Sequence, residues 1–161
     1  MMKISKLLCK SFALLSLLLI ACSNTDDIQQ KVTEIDASQL KVRDPFIFYD
    51  ADTDYYYLHV NGTLKVKSYK SKDLLTWQEN GYSFLPSAGF WGKEDFWAPD
   101  FYKYEDKYYL FITLSAPGVK RGTSVLVSDR VTGTFQPLVN NAVTPQEWTC
   151  LDGSLYVDSE G

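Results

Sequence analysis

Cysteine and histidine are nearly missing from this 161-residue sequence, which holds three of the first (Cys9, Cys22, Cys150) and one of the second, His59. Nothing among them has the spacing of a metal-ligating set, so the sequence predicts no metal site. Glycine loops that cradle phosphates, nucleophile elbows and zinc motifs are absent as well. Clustered positive charge is also lacking. Three of the 16 basic residues precede Cys22, which leaves 13 against 20 acidic residues, a net charge of −7 from that point. Basic residues scattered singly on so acidic a chain leave no footprint for DNA or RNA. An uncharged polar ligand such as a sugar escapes that exclusion. Long apolar runs are missing too. The longest, FALLSLLLIA at residues 12–21, is well short of the ~20 residues of a membrane-spanning helix. Helical periodicity after it is confined to SKDLLTW (71–77), too short to stand alone.

That apolar run follows lysines at 3, 6 and 10, the layout of an export signal. It ends in Leu19-Ile20-Ala21-Cys22, which resembles the lipobox of bacterial lipoproteins. The resemblance implies that residues 1–21 are a lipoprotein signal peptide and that Cys22 carries lipid. A membrane would then be a partner through the anchor, on the outer-membrane surface or periplasmic side of a bacterial cell envelope. Residues 22–40 read as a polar tether and residues 41–161 as the domain. Cys9 leaves with the signal, so Cys150 has no intrachain partner and is expected to be a small buried hydrophobe.

What the chain does have is aromatic strand: 15% of it is Phe, Trp or Tyr. FIFY (46–49), YYYLHV (55–60), TLKVKSY (63–69), KYYLFITLS (107–115) and TSVLVSD (123–129) read as strands. NG at 61–62, NG at 80–81, APG at 116–118 and TG at 132–133 read as turns between them. The segments repeat. RDPFIFYDADTDYYYLHV (43–60) matches APDFYKYEDKYYLFIT (98–113), and LDGSLYVDSEG (151–161) opens a third copy. Asp44 and Asp152 align with Pro99, in steps of 55 and 53 residues. SKDLLTW (71–77) likewise parallels SDRVTGTF (128–135). A period of this size holding four short strands predicts an all-β propeller, whose blades bury their apolar faces only against one another. A β-sandwich is the competing architecture. Two units and the start of a third do not close a ring, so the sequence is expected to be a fragment of a longer protein, of doubtful stability on its own.

Taken together and in order, RDPFIFYD, YYYLHV, SKDLLTW, FWAPDFYKYEDKYYLF and LDGSLYVD resemble glycoside hydrolase family 43, over about residues 40–161. Related five-bladed families, the fructan-cleaving ones included, share parts of the pattern. The resemblance implies a five-bladed β-propeller in the full-length parent, of which about two blades and the start of a third are here. It implies hydrolysis, with inversion, of arabinose- or xylose-containing plant polysaccharides such as arabinan and arabinoxylan, or of oligosaccharides derived from them. Asp44 would be the general base that activates water, and Asp152 the aspartate that tunes and orients the general acid. At the position after Asp152 the family usually has proline where this chain has Gly153. The acid itself, a glutamate on a later blade, is expected outside these residues, and the isolated chain is therefore expected to be nearly inactive. No cofactor is required; a structural calcium near the axis is implied for the full-length parent, with its supporting histidine on the absent blades.

The residues alone give a narrower reading. In a propeller, equivalent positions at the start of innermost strands converge at one end of the channel. Carboxylates gathered there repel, so at least one pKa is expected to rise. One carboxylate taking a proton from water and one carboxylic acid protonating the leaving oxygen is what glycoside cleavage needs. The structural alternative for Asp44 and Asp152 is a repeated turn cap, a role that suits Asp50 and Asp158 better. Arg43 is read as a partner for a nearby carboxylate or as a plain surface arginine. Asp100, one place past the aligned positions, faces the cleft or braces a turn. Trp97 is a sugar-stacking platform or, like Trp91, a filler between blades. His59 and the strand aromatics Phe46, Phe48, Tyr56, Tyr57, Tyr109 and Phe111 are assigned to packing. The alternative function is a carbohydrate-binding surface lipoprotein without chemistry, on a propeller or on an adhesin-like sandwich.

Overall fold

The computed structural model describes residues 33–160. The predicted signal peptide, the predicted lipidation site Cys22 and the first part of the predicted tether lie outside the described residues. Among the described residues nine strands form two antiparallel sheets, with one 3-10 turn beside them. In the first, β2 (Phe46–Asp50), β3 (Tyr55–Gly62), β4 (Lys65–Ser71) and β5 (Thr76–Phe84) pair in chain order, and the short β1 (Glu34–Asp36) closes the far edge against β5. In the second, β6 (Glu94–Tyr104), β7 (Lys107–Ala116), β8 (Val119–Ser128) and β9 (Gln136–Pro137) follow the same order. These are blades, each a meander whose first full strand lies at one edge of its sheet.

Period-2 alternation explains why the blades stack. Phe46 and Phe48 turn one face of β2 toward the second sheet, while Ile47 and Tyr49 face away and stay about half exposed. Tyr57 and Val66 of the first blade share one core with Phe101, Tyr108, Leu110, Ile112 and Leu126 of the second. Phe101, 1% exposed, is its hub. Its ring lies 4.9 Å from Phe48, 5.5 Å from Phe135 and 5.9 Å from Tyr108, and stacks at 4.3 Å on the imidazole of His59. A hydrogen bond from the Phe135 N–H to the Ser83 carbonyl, at 2.9 Å, ties the blades together again.

The opposite face of the first blade, with Leu58, Val60, Tyr69 and Trp77, is covered by Ile35, Ala37, Leu40 and Val42. The expected tether over 22–40 is thus corrected at its end: residues 34–40 form β1 and the turn Ala37–Gln39 and belong to the domain. Ile35 and Leu40 are the apolar residues that a free tether would leave in water.

The turns follow the repeat. Ser71 Oγ accepts from the Asp73 N–H and Ser128 Oγ from the Arg130 N–H, each at 3.2 Å, so the two serine turns are equivalent. The aromatics that follow, Trp77 and Phe135, are both buried. Asp50 accepts from the Thr53 N–H and hydroxyl and from the Tyr108 hydroxyl, and Asp158 caps the Glu160 N–H, as the turn-cap reading expects. Asn80-Gly81 is not a turn. It lies inside β5, where the register to β4 shifts and Gly81 takes a φ of 74°, so the left-handed glycine serves a bulge. Cys150 is half-buried, not buried, with Sγ 3.9 Å from the Pro145 carbonyl.

His59 carries a measurable consequence. It is fully buried, Nδ1 lies 2.7 Å from Ser83 Oγ, and Nε2 has no partner among the described residues. Burial lowers its pKa from 6.5 to about 3. A folded-state pKa below the unfolded one means that the neutral ring's contribution is intact above pH 6.5 and is lost as pH falls toward 3. At pH 5 this single group should weaken folding by about 2 kcal/mol relative to neutral pH. Urea unfolding of His59→Phe, which keeps an aromatic on Phe101, should lose that part of the pH 7 to pH 5 difference; an unchanged difference would contradict it.

Candidate active site

Because each blade is a meander, the ends at which β2 and β6 begin also carry the turns β3–β4 and β7–β8. The candidate residues gather at this end. Asp44 sits in a bend two residues before β2, exposed, with Arg43 Nε 3.4 Å from its Oδ2. The pair is solvent-exposed, 80% and 47% by side chain, and so contributes little to stability. Asp44 has a φ of 48° and Asp152 a φ of 49°, so the two repeat-equivalent aspartates share a left-handed backbone that Asp adopts more readily than most residues. In the second blade the same kink falls on Ala98, φ 42°, one residue earlier than the alignment expects, because Pro99 cannot adopt it. Neither aspartate is the first residue of a strand; Asp44 stands two residues before β2, and among the described residues no strand follows Asp152. Residues 151–158 run alongside the second blade without ladder pairing.

Tyr102 on β6 joins the three units. Its ring is 5.7 Å from that of Phe46 on β2, and its hydroxyl lies within reach of Ser154 and the Leu155 backbone in the third. The same hydroxyl donates to Asp100 Oδ2 at 3.1 Å. Asp100 is half-buried, and burial first, then the negative charge of Asp152, raises its pKa above the ordinary carboxylate value. The carboxylate made more basic is therefore Asp100, chiefly through burial, with the charge of Asp152 adding a smaller contribution.

The seat of Asp152 was not legible in the repeat. Its N–H donates to Thr113 Oγ1 at 3.0 Å, and the Cys150 N–H donates to the Arg121 carbonyl at 3.0 Å. The chain passes so close to β8 that a Cβ at position 153 would stand 2.5 Å from Thr123 Oγ1 and 2.6 Å from its Cγ2. Gly153, where the resemblance implies proline, suits this seat because the Thr123 side chain fills the space a larger residue needs. The paired register of Thr113 and Thr123 is the signal that could have found this seat, since both point to one face at one end of the second blade.

The two tryptophans separate. Trp91 packs against the core and donates from Nε1 to Ser124 Oγ at 2.8 Å, so it fills space inside the second blade. Trp97 lines an open groove with Asn61, Thr63, Leu64, Asp95 and Phe96, between the β3–β4 turn and the start of β6. Among the described residues no group of His, Cys, Asp or Glu is arranged to hold a metal ion.

A model of the family described as glycosyl hydrolases family 43 matches residues 37–161. The chain is similar to the crystal structure of an endo-arabinase from Bacteroides thetaiotaomicron VPI-5482, at 61% identity and a TM-score of 0.76, over 79% of this chain and 45% of that one. It is similar to an endo-1,4-beta-xylanase from the same organism at 26% identity and a TM-score of 0.62, over 81% of this chain and 42% of that one. Among curated proteins, the extracellular exo-alpha-(1->5)-L-arabinofuranosidase of Cellvibrio japonicus is 25% identical, over 78% of this chain and 40% of the relative. The chain spans less than half the length of each.

Proposed function

The chain belongs to glycosyl hydrolases family 43, and on that premise we propose that it supplies the first two blades and the opening of the third of an inverting arabinan hydrolase. The observation that carries the reading is the recurrence of one exposed, left-handed aspartate at the entry to the first and third units, Asp44 and Asp152, with the half-buried Asp100 between them. Asp44 takes a proton from the attacking water. Asp152 orients and tunes a glutamic acid that a later blade contributes, and that acid protonates the leaving oxygen. Inversion places base and acid ~6.5–9.5 Å apart with the water between. Trp97 offers a flat apolar face to the C–H side of a pentose. Arabinan is favoured over xylan by the 61% identity to the endo-arabinase against 26% to the xylanase.

The lipobox-like Leu19-Ile20-Ala21-Cys22 adds the proposal that Cys22 anchors the protein by lipid in the bacterial envelope. The function is tested with the coding sequence carried on through the remaining blades. Release of arabinose or arabino-oligosaccharides from linear arabinan, well above release from xylan, is the expected result. Binding of arabinan without cleavage would contradict hydrolysis and favour the carbohydrate-binding lipoprotein.

A further inference from the structure

Arg121 lies outside every repeated motif, yet it touches both the ring and the carboxylate segment of the site. Its guanidinium carbon sits 4.6 Å from the centre of the Trp97 ring. Its Nε lies 2.7 Å from Asp95 Oδ2, which also accepts from Ser115 Oγ at 2.6 Å. Its carbonyl holds the Cys150 N–H, two residues before Asp152. We propose that Arg121 is a positioning residue: it clamps Trp97 as a stacking face for an uncharged pentose oligosaccharide and fixes the distance from that face to Asp152, resting on the reading that Trp97 meets the substrate.

Each part of the arrangement serves that role. A planar guanidinium lies flat on an indole, which an ammonium does not, so arginine fixes the plane of the ring as well as its place. Asp95 is only 17% exposed by side chain, and its charge-assisted bond keeps Arg121 from swinging into water. Asp95 itself has a φ of 57°, and Ser115 on β7 holds the same carboxylate oxygen. Trp97 lines the groove and Arg121 does not. A guanidinium over one face of the ring leaves the opposite face for a ligand. Through its carbonyl, the same residue holds the Cys150 N–H, two residues before Asp152. A shift of Arg121 would move ring and carboxylate relative to one another.

The test uses Arg121→Met and Arg121→Lys in the protein carrying all its blades, with Trp97→Phe to assign the Trp97 signals. The near-ultraviolet dichroism of Trp97 and its quenching by acrylamide are read without ligand, and binding of arabinotriose by calorimetry. In Arg121→Met the Trp97 band should collapse toward that of Trp97→Phe, with quenching raised and binding weakened about tenfold, while the melting temperature stays close to that of the unsubstituted chain. Arg121→Lys should resemble Arg121→Met. Unchanged Trp97 signals in Arg121→Met, or a lysine variant equal to the unsubstituted chain, would overturn the clamp. Failure of the unsubstituted protein to bind arabinotriose or xylotriose would instead defeat the functional reading, and the Trp97 signals would still decide the clamp.

Discussion

Asp44→Asn should reduce the hydrolysis of aryl arabinofuranosides by a factor of about 10²–10⁴ in the protein carrying all its blades, with KM little changed. The size follows from the role: without a base, water must attack with its proton still attached. Asparagine is the informative replacement because it keeps the shape of the side chain and tolerates the left-handed backbone, φ 48°, that this position demands. Asp44 is exposed and its one ion pair, with Arg43, is a surface pair. The variant should therefore fold and bind sugar as before, and the loss should appear in kcat alone. Full hydrolysis by Asp44→Asn would remove Asp44 from the chemistry and leave it a turn residue.

Phe101→Ala should lower the stability of the domain by about 3–5 kcal/mol, read by urea unfolding. The ring is 1% exposed and meets Phe48 and His59 from the first blade and Tyr108 and Phe135 from its own. Deleting it opens a cavity along the seam between blades, which the strands cannot close without losing the alternation that defines their faces. Phe101→Leu should recover a large share of the loss. A matched truncation at Ile47, on the uncovered side of β2, should cost far less. Equal losses at Phe101 and Ile47 would mean that the seam does not hold the blades together.

The propeller was legible because its period survives in the aromatic strands and acidic turns. Asp50 and Asp158, and the serines at 71 and 128, play in the structure the turn roles their repeat positions suggested. Local chemistry misled at Asn80-Gly81, where a turn signal serves a bulge because neighbouring strands continue the pairing across it. The tether boundary failed for a related reason. Ile35 and Leu40 lie in a polar stretch, and only the uncovered face around Leu58 and Trp77 gives them a place to be buried. In the site, the aspartates were legible as repeated residues, whereas Thr113, Arg121 and Gly153 were not. Their roles come from one segment lying across the edge of another blade, a contact between residues some 30 to 40 positions apart that no short motif records.

The most direct measurement is a crystal structure of the protein with an arabino-oligosaccharide bound. The expected result is one glycosidic bond held at the end of the channel, the water on its far side in reach of the Asp44 carboxylate, Asp152 across the cleft, and a sugar ring lying on Trp97. A chain bound at another surface, or Asp44 and Asp152 separated by more than roughly twice the ~6.5–9.5 Å span of an inverting pair with no cleft between them, would contradict the account.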